Sequence, residues 1–320
     1  MSRTNCLLST AAVGAVLLTA ADAVAQSGPQ APGQLWGTGV SASESSPVIR
    51  EMGDMLGMVR SAQLFWQQLN ALKIVGHGQW TDLETTAPGE MRPVGVYTIS
   101  MGLGLPAARV DIEGRGMDRS VRVVRGDLDR AWDEASPGYP LGESDFAAFR
   151  EQSIWFWPHA FARAAAYAEQ GRCTDGTECT VEFTLTENGD DRMISVEIQG
   201  ITYVATLDAD FRPATISARI DVPNVGEAEY VAHYSGYRNG LGLGTTGEEI
   251  AFDNLRSLEA SSDVGAARGL GVLDKYHTGA YIPGEVRHEV NGEVVLDLTI
   301  TEGWPNAFMI FPTPELLAGN

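Results

Sequence analysis

Lysine is nearly missing from this chain of 320 residues: Lys73 and Lys275 are the only two. Basic residues total 22 against 42 acidic ones, a net charge of −20. That balance excludes nucleic acid as a partner, because phosphates need a positive surface. It also excludes docking on anionic lipid. The acidity reads as a solvated outer surface. A Schiff-base lysine would have to be Lys73 or Lys275, and neither stands in a supporting pattern. No GxSxG elbow, Walker loop, CxxC pair or HExxH helix occurs. The Gly-rich run at 240–244 lacks the strand–helix context of a nucleotide loop. Asp208 and Asp210 read as turn residues rather than a calcium or catalytic pair. No metal and no cofactor is expected. Past the N-terminus no apolar run is long enough to span a bilayer, so an integral membrane protein is not expected.

What is present begins with a secretory pattern. Arg3 supplies a positive start, 7–19 is apolar and small, and Ala23-Val24-Ala25 fits an A-x-A cleavage site. Residues 1–25 are therefore expected to be a signal peptide, and the protein periplasmic or secreted. Cys6 precedes the apolar run, so it is no lipoprotein anchor. Two of the three cysteines remain after cleavage, Cys173 and Cys179. An even pair in an oxidising compartment predicts a disulfide, here across the Asp175-Gly176 turn. Zinc or redox roles are the alternative, disfavoured by the lack of an adjacent histidine.

Residues 26–47 are rich in Ser, Gly, Pro and Ala and read as a flexible leader. A helical stripe follows through Met52, Met55, Leu56 and Val59, continued by Leu64, Phe65, Leu69 and Leu72. From Lys73 the period becomes two. Strands are predicted at 74–80 and 93–101, the second with Val94 and Val96 on one face and Tyr97 and Ile99 on the other. Further strands carry Val110 and Ile112, then Val121 and Val123. Residues 138–142 read as a break in the sheet. Ser144-Asp145 is expected to cap a helix from Phe146 that stops near Trp157, and Pro158 to open a second helix closed by Gly171. Strands resume with Phe183 and Leu185, Ile194 to Ile198, Ile201 to Ala205, Ile216 to Ile220, and Tyr230 to Tyr234. Asn291-Gly292 predicts a closing hairpin. Residues 240–275, with a helical pattern at 248–258, read as an insertion. The fold class is α+β, a large curved antiparallel half-barrel sheet covered by helices, with 48–320 as one domain.

The helix junction at 152–166 concentrates chemistry-bearing side chains. Trp155, Trp157 and Phe161 either pack the core or, with Tyr281, floor an apolar cavity. His159 is either a helix-terminus residue bonded to a neighbouring strand or a general acid/base. His233 and His288 lie on strands. They either face solvent or converge with His159, Tyr234 and Arg122 as a catalytic set.

The motif Gln152-x-x-Trp155-x-x-Pro158-His159-x-Phe161-x-x-Ala164-Ala165 resembles one in exported bacterial proteins, where it accompanies a metallo-β-lactamase-fold hydrolase domain. Tyr234, Tyr237, Gly279, Tyr281 and Pro283 stand in the order of that family's following element, and 292–306 is similar to its closing hairpin. The element order also resembles the lipoprotein-carrier (LolA-like) half-barrel. The resemblance implies the half-barrel and export. The insertion at 240–275 departs from it. The hydrolase domain is absent too, since none of His77, His159, His233, His277 and His288 stands in an HxHxDH pattern. Three functions follow as expectations. The first is an exported protein binding a small hydrophobic or amphipathic molecule. The second is a lyase or hydrolase using His/Tyr chemistry in the same cleft. The third is an interaction module for a separate hydrolase as protein partner.

Overall fold

Antiparallel pairing of short alternating runs builds one open sheet of 13 strands. The computed structural model describes residues 44–58, 69, 71–104, 106–114, 118–189, 191–239, 281–305, 307 and 311. The expected signal peptide, most of the leader, the helical continuation through Leu64 and Phe65, and the insertion lie outside the described residues. So do His277 and Gly279.

The first wing of the sheet is a meander. It comprises β1 (Ala71–Trp80), β2 (Arg92–Gly102), β3 (Ala107–Glu113), β4 (Ser120–Arg125), β5 (Arg130–Ser136) and β6 (Tyr139–Ser144). The second wing comprises β7 (Phe183–Asn188), β8 (Asp191–Ile198), β9 (Ile201–Leu207), β10 (Pro213–Val222), β11 (Gly226–Ser235), β14 (Glu285–Val290) and β15 (Glu293–Pro305). A separate two-stranded piece pairs β12 (Arg238–Asn239) with β13 (Tyr281–Ile282). The last strand of the second wing, β15, pairs with the first strand of the chain, β1. The outer edges are therefore β6 and β7, which are consecutive in sequence. The chain must cross the sheet to join them, and the helices are that crossing. Helix α2 (Ala147–Ile154) and helix α3 (Pro158–Glu169) lie in this connection. A further helix, α1 (Pro47–Met55), packs on α3.

The helices begin and end where the local chemistry dictates. Ser46 caps α1 by accepting from the Ile49 N–H, and Pro47 follows at the first turn. These two residues belong to a helix start and not to the leader. Helix α2 begins one residue later than expected and has no side-chain cap; the Ser144 hydroxyl accepts from the Phe146 N–H instead. It ends before the Trp155-Phe156-Trp157 junction, as the following proline requires. Gly171, at φ +68°, closes α3 and lets the Arg172 N–H reach the Tyr167 carbonyl. Every residue of α3 from Pro158 to Ala168 is buried. Six alanines among them keep the helix thin enough to be enclosed on all sides.

The core fills the space between sheet and helices. Phe156 sits with its ring centroid 5.2 Å from that of Tyr203 and 4.4 Å from that of Tyr230. Burying each such ring contributes about 1.5–3 kcal/mol. The disulfide Cys173–Cys179 is formed, with its Cα atoms 5.5 Å apart. It staples a turn in which Asp175 accepts from the Thr177 N–H. No helix among the described residues is long and apolar enough to cross a membrane.

Two strand readings need correction. Residues 138–142 do not break the sheet: they form the turn and strand β6 of a hairpin with β5. Strand β5 escapes the alternation rule because its register shifts around Glu134, whose carboxylate is buried on the face opposite Asp133. There it accepts from the Trp132 indole N–H at 3.0 Å and the Arg109 Nε–H at 2.9 Å. The second correction concerns β2. Val94, Tyr97 and Ile99 are all buried on one side, and Val96 is exposed. The register slips opposite Gly76–Gly78, so one extra residue on β2 reverses the alternation. Gly78 is required there, since a Cβ would overlap the Asp297 carbonyl. Leu72, expected on the helical stripe, lies on β1.

Candidate functional site

The inward faces of β1 to β4, β11, β14 and β15 leave a cavity of about 110 Å³ beneath α2 and the junction residue Trp157. Its walls are mostly aliphatic and aromatic, among them Ile99, Ile112, Val123, Phe149, Ile154 and Leu296. Polar groups gather at its two ends.

At one end Arg150 of α2 is only 7% exposed. Its Nε and Nη2 donate to the Glu84 carboxylate at 2.8 Å each, and Nη2 also to Asp133 at 2.6 Å. Its Nη1 donates to the backbone carbonyls of Val123 and Trp132, at 3.3 and 2.9 Å. All five N–H donors of the guanidinium are thus engaged. Arg150 is therefore a pin that ties α2 to β4, β5 and the β1–β2 connection. Arg122 stands beside it, with Nη2 2.6 Å from Asp82, Nη1 3.3 Å from Glu84, and its plane over the Trp80 ring at 5.0 Å. Burial would raise the Asp82 carboxyl above its ordinary pKa, but the hydrogen bond and charge of Arg122 bring it below.

At the other end His288 of β14 is directly across from Ala232 of β11. Tyr230 and Tyr234 project from the same face on either side of Ala232, so the small residue opens a notch that the imidazole fills. The Tyr234 hydroxyl donates to the Phe156 carbonyl. Its oxygen is then an acceptor for His288 Nε2, 3.4 Å away. This orientation leaves Nδ1 to accept from the Tyr230 hydroxyl at 2.9 Å. The bonds run in one direction, Tyr230 to His288 to Tyr234 to Phe156, with the ring neutral.

Burial, reinforced by His233, holds the His288 pKa down at about 3. Burial also holds His159 at about 4, against the smaller opposing influence of the Leu56 and Tyr281 backbones. Both folded values lie below the unfolded value of 6.5. Between pH 6.5 and 4 the unfolded chain therefore binds protons that the folded chain does not, and stability falls as pH falls. Two histidines contribute a slope of about 2.7 kcal/mol per pH unit in that window. Urea unfolding as a function of pH is expected to show this slope, reduced by about one proton in His288→Gln. Imidazole NMR signals of His159 and His288 are expected to stay unshifted from pH 8 to 5. Titration of either ring near 6.5 would contradict the assignment.

The expected site residues divide. Trp157, His288 and Arg122 line the cavity, and Tyr234 touches it through His288. Trp155, Phe161 and Tyr281 do not line it. His233 lies on the outer face of β11, its side chain 42% exposed and Nε2 3.8 Å from Glu289. His159 is fully buried, its ring nitrogens near the Leu56 and Tyr281 backbones but without a hydrogen bond of normal geometry to any described residue. Arg163, one turn further along α3, is 3% exposed. It donates from Nη2 to the Tyr167 hydroxyl at 2.8 Å, and its Nε and Nη1 have no partner among the described residues. These groups belong to the interior of α3 and not to the cavity. Residues that the sequence reading missed are Glu84, Arg150 and Tyr97. Among the described residues no cluster of His, Cys, Asp and Glu could hold a metal ion. No family model and no curated protein matches this chain.

Proposed function

We propose that this chain is an exported protein that holds a small apolar or amphipathic molecule in the cavity between the half-barrel and α2. The observation that carries this reading is the void itself, which persists beneath a helix fixed by the saturated Arg150 pin. A volume of about 110 Å³ is below the roughly 300–1,000 Å³ of a drug-sized pocket. It is nearer to the roughly 150 Å³ void that takes up benzene in an engineered core. The buried part of the ligand is therefore one ring or the end of a short acyl chain, with the remainder outside. Export is supported by the secretory pattern at 1–25 and by the disulfide. The likeness to LolA-like carriers agrees with a carrier or binding role.

A second reading, acid–base catalysis, rests on His288 and Tyr230 facing the void. It is weaker because the only basic nitrogen of His288 already accepts from Tyr230 and burial holds its pKa at about 3. Native mass spectrometry on protein purified from its own cells tests the first reading. A bound small molecule, removed by organic extraction, is the expected result. Protein that carries nothing and takes up no apolar probe would sink it.

A further inference from the structure

Tyr97 carries a hydroxyl that the fold leaves without a partner among the described residues. It is 6% exposed and lines the void from β2. Several of the other polar side chains around it are engaged. Arg150 has no donor left, Ser153 donates to the Phe149 carbonyl, Thr81 to the Met91 sulfur and Tyr230 to His288. The Tyr97 hydroxyl makes no hydrogen bond to any described residue, and it is not among the fully enclosed polar atoms, so it opens onto the void. An acceptor atom of a ligand placed there would gain a hydrogen bond that the fold does not supply.

We infer that the ligand is electrically neutral and presents a hydrogen-bond-accepting oxygen, such as a carbonyl, to the Tyr97 hydroxyl while its apolar body fills the void. This rests on the binding reading above. Charge decides against the alternatives. Arg122 and Arg150 supply two positive charges, and Asp82, Glu84 and Asp133 three negative ones, so the polar end carries a net −1. A carboxylate would enter against that charge and find Arg150 saturated and Arg122 already paired with Asp82 and Glu84. A cation would find Asp82 and Glu84 already paired with arginines and would lose its own hydration. A neutral acceptor meets neither penalty. Burial also keeps Tyr97 protonated, since its pKa is driven well above the ordinary value, with Arg122 only partly opposing. It therefore remains a donor across the whole working pH range.

Matched probes test this on the mature chain: ethylbenzene, acetophenone, benzoate and benzylammonium, each titrated by calorimetry. Acetophenone is expected to bind about 3–10-fold tighter than ethylbenzene, and the two ions more weakly than either. Tyr97→Phe is expected to bring acetophenone to the affinity of ethylbenzene and leave ethylbenzene unchanged. Should that variant not fold, the order of the four probes on the wild-type chain is decisive alone. Ethylbenzene binding with no preference for acetophenone, or with benzoate tightest, would overturn this inference and leave the cavity reading intact. Failure of all four probes to bind would overturn both.

Discussion

Arg150→Ala is expected to lower the unfolding free energy by about 3–5 kcal/mol, the range for breaking a buried ion pair by removing one partner. The truncation leaves Glu84 buried beside a single remaining cation, Arg122. It also strips the Val123 and Trp132 carbonyls of their side-chain donor. Arg150→Lys is expected to recover little, because an ammonium cannot reproduce the two parallel bonds to Glu84 and the two backbone bonds together. Urea unfolding of the three proteins at one pH measures this. A loss below about 1 kcal/mol for Arg150→Ala would mean that the ion pairs behave as exposed ones and that α2 is held by apolar packing alone.

Ala108→Phe is expected to remove apolar-probe binding altogether, a loss of at least a hundredfold in affinity. Ala108 lines the void from β3, and a phenyl ring is the size of group that the void accommodates. Overpacking a filled core costs about 1–3 kcal/mol. Here the added ring enters space already open, so stability is expected to change by less than that. The pairing of lost binding with retained stability separates occlusion of a site from general damage. A variant that still binds ethylbenzene at the wild-type affinity would place the binding site elsewhere.

Much of this architecture is legible in the residues themselves. Period-two alternation marks most of the strands, and Asn291-Gly292 marks the hairpin it was expected to form. Pro158 and Gly171 mark both ends of α3. The sheet beyond Gly126 is harder to read because Glu134, a charged residue, is buried on the face of β5 opposite Asp133 and breaks the pattern of alternating polarity. Simple alternation groups Val94 with Val96, whereas Val94 is buried with Tyr97 and Ile99, because a bulge reverses parity without leaving a local trace on β2 itself; the hint is the Gly76-x-Gly78 pair on the partner strand. Arg150 looked like an ordinary polar residue of a short helix, and its importance depends on Glu84 and Asp133, which are distant in sequence. The histidines show the opposite failure. Their residue type drew attention at once, yet one is locked between tyrosines, one lies inside a helix and one faces outward. Residue type is visible in a sequence, whereas the partners that silence or expose a side chain come from tertiary contacts.

The most direct test of the account is a titration of methyl-labelled protein with ethylbenzene, followed by NMR. Saturable one-to-one shifts confined to Ile99, Ile112, Val124, Ile154 and Leu296, and absent in Ala108→Phe, are the predicted result. No saturable shift at those methyls, or shifts centred on another part of the sheet, would contradict the assignment of the cavity as the binding site.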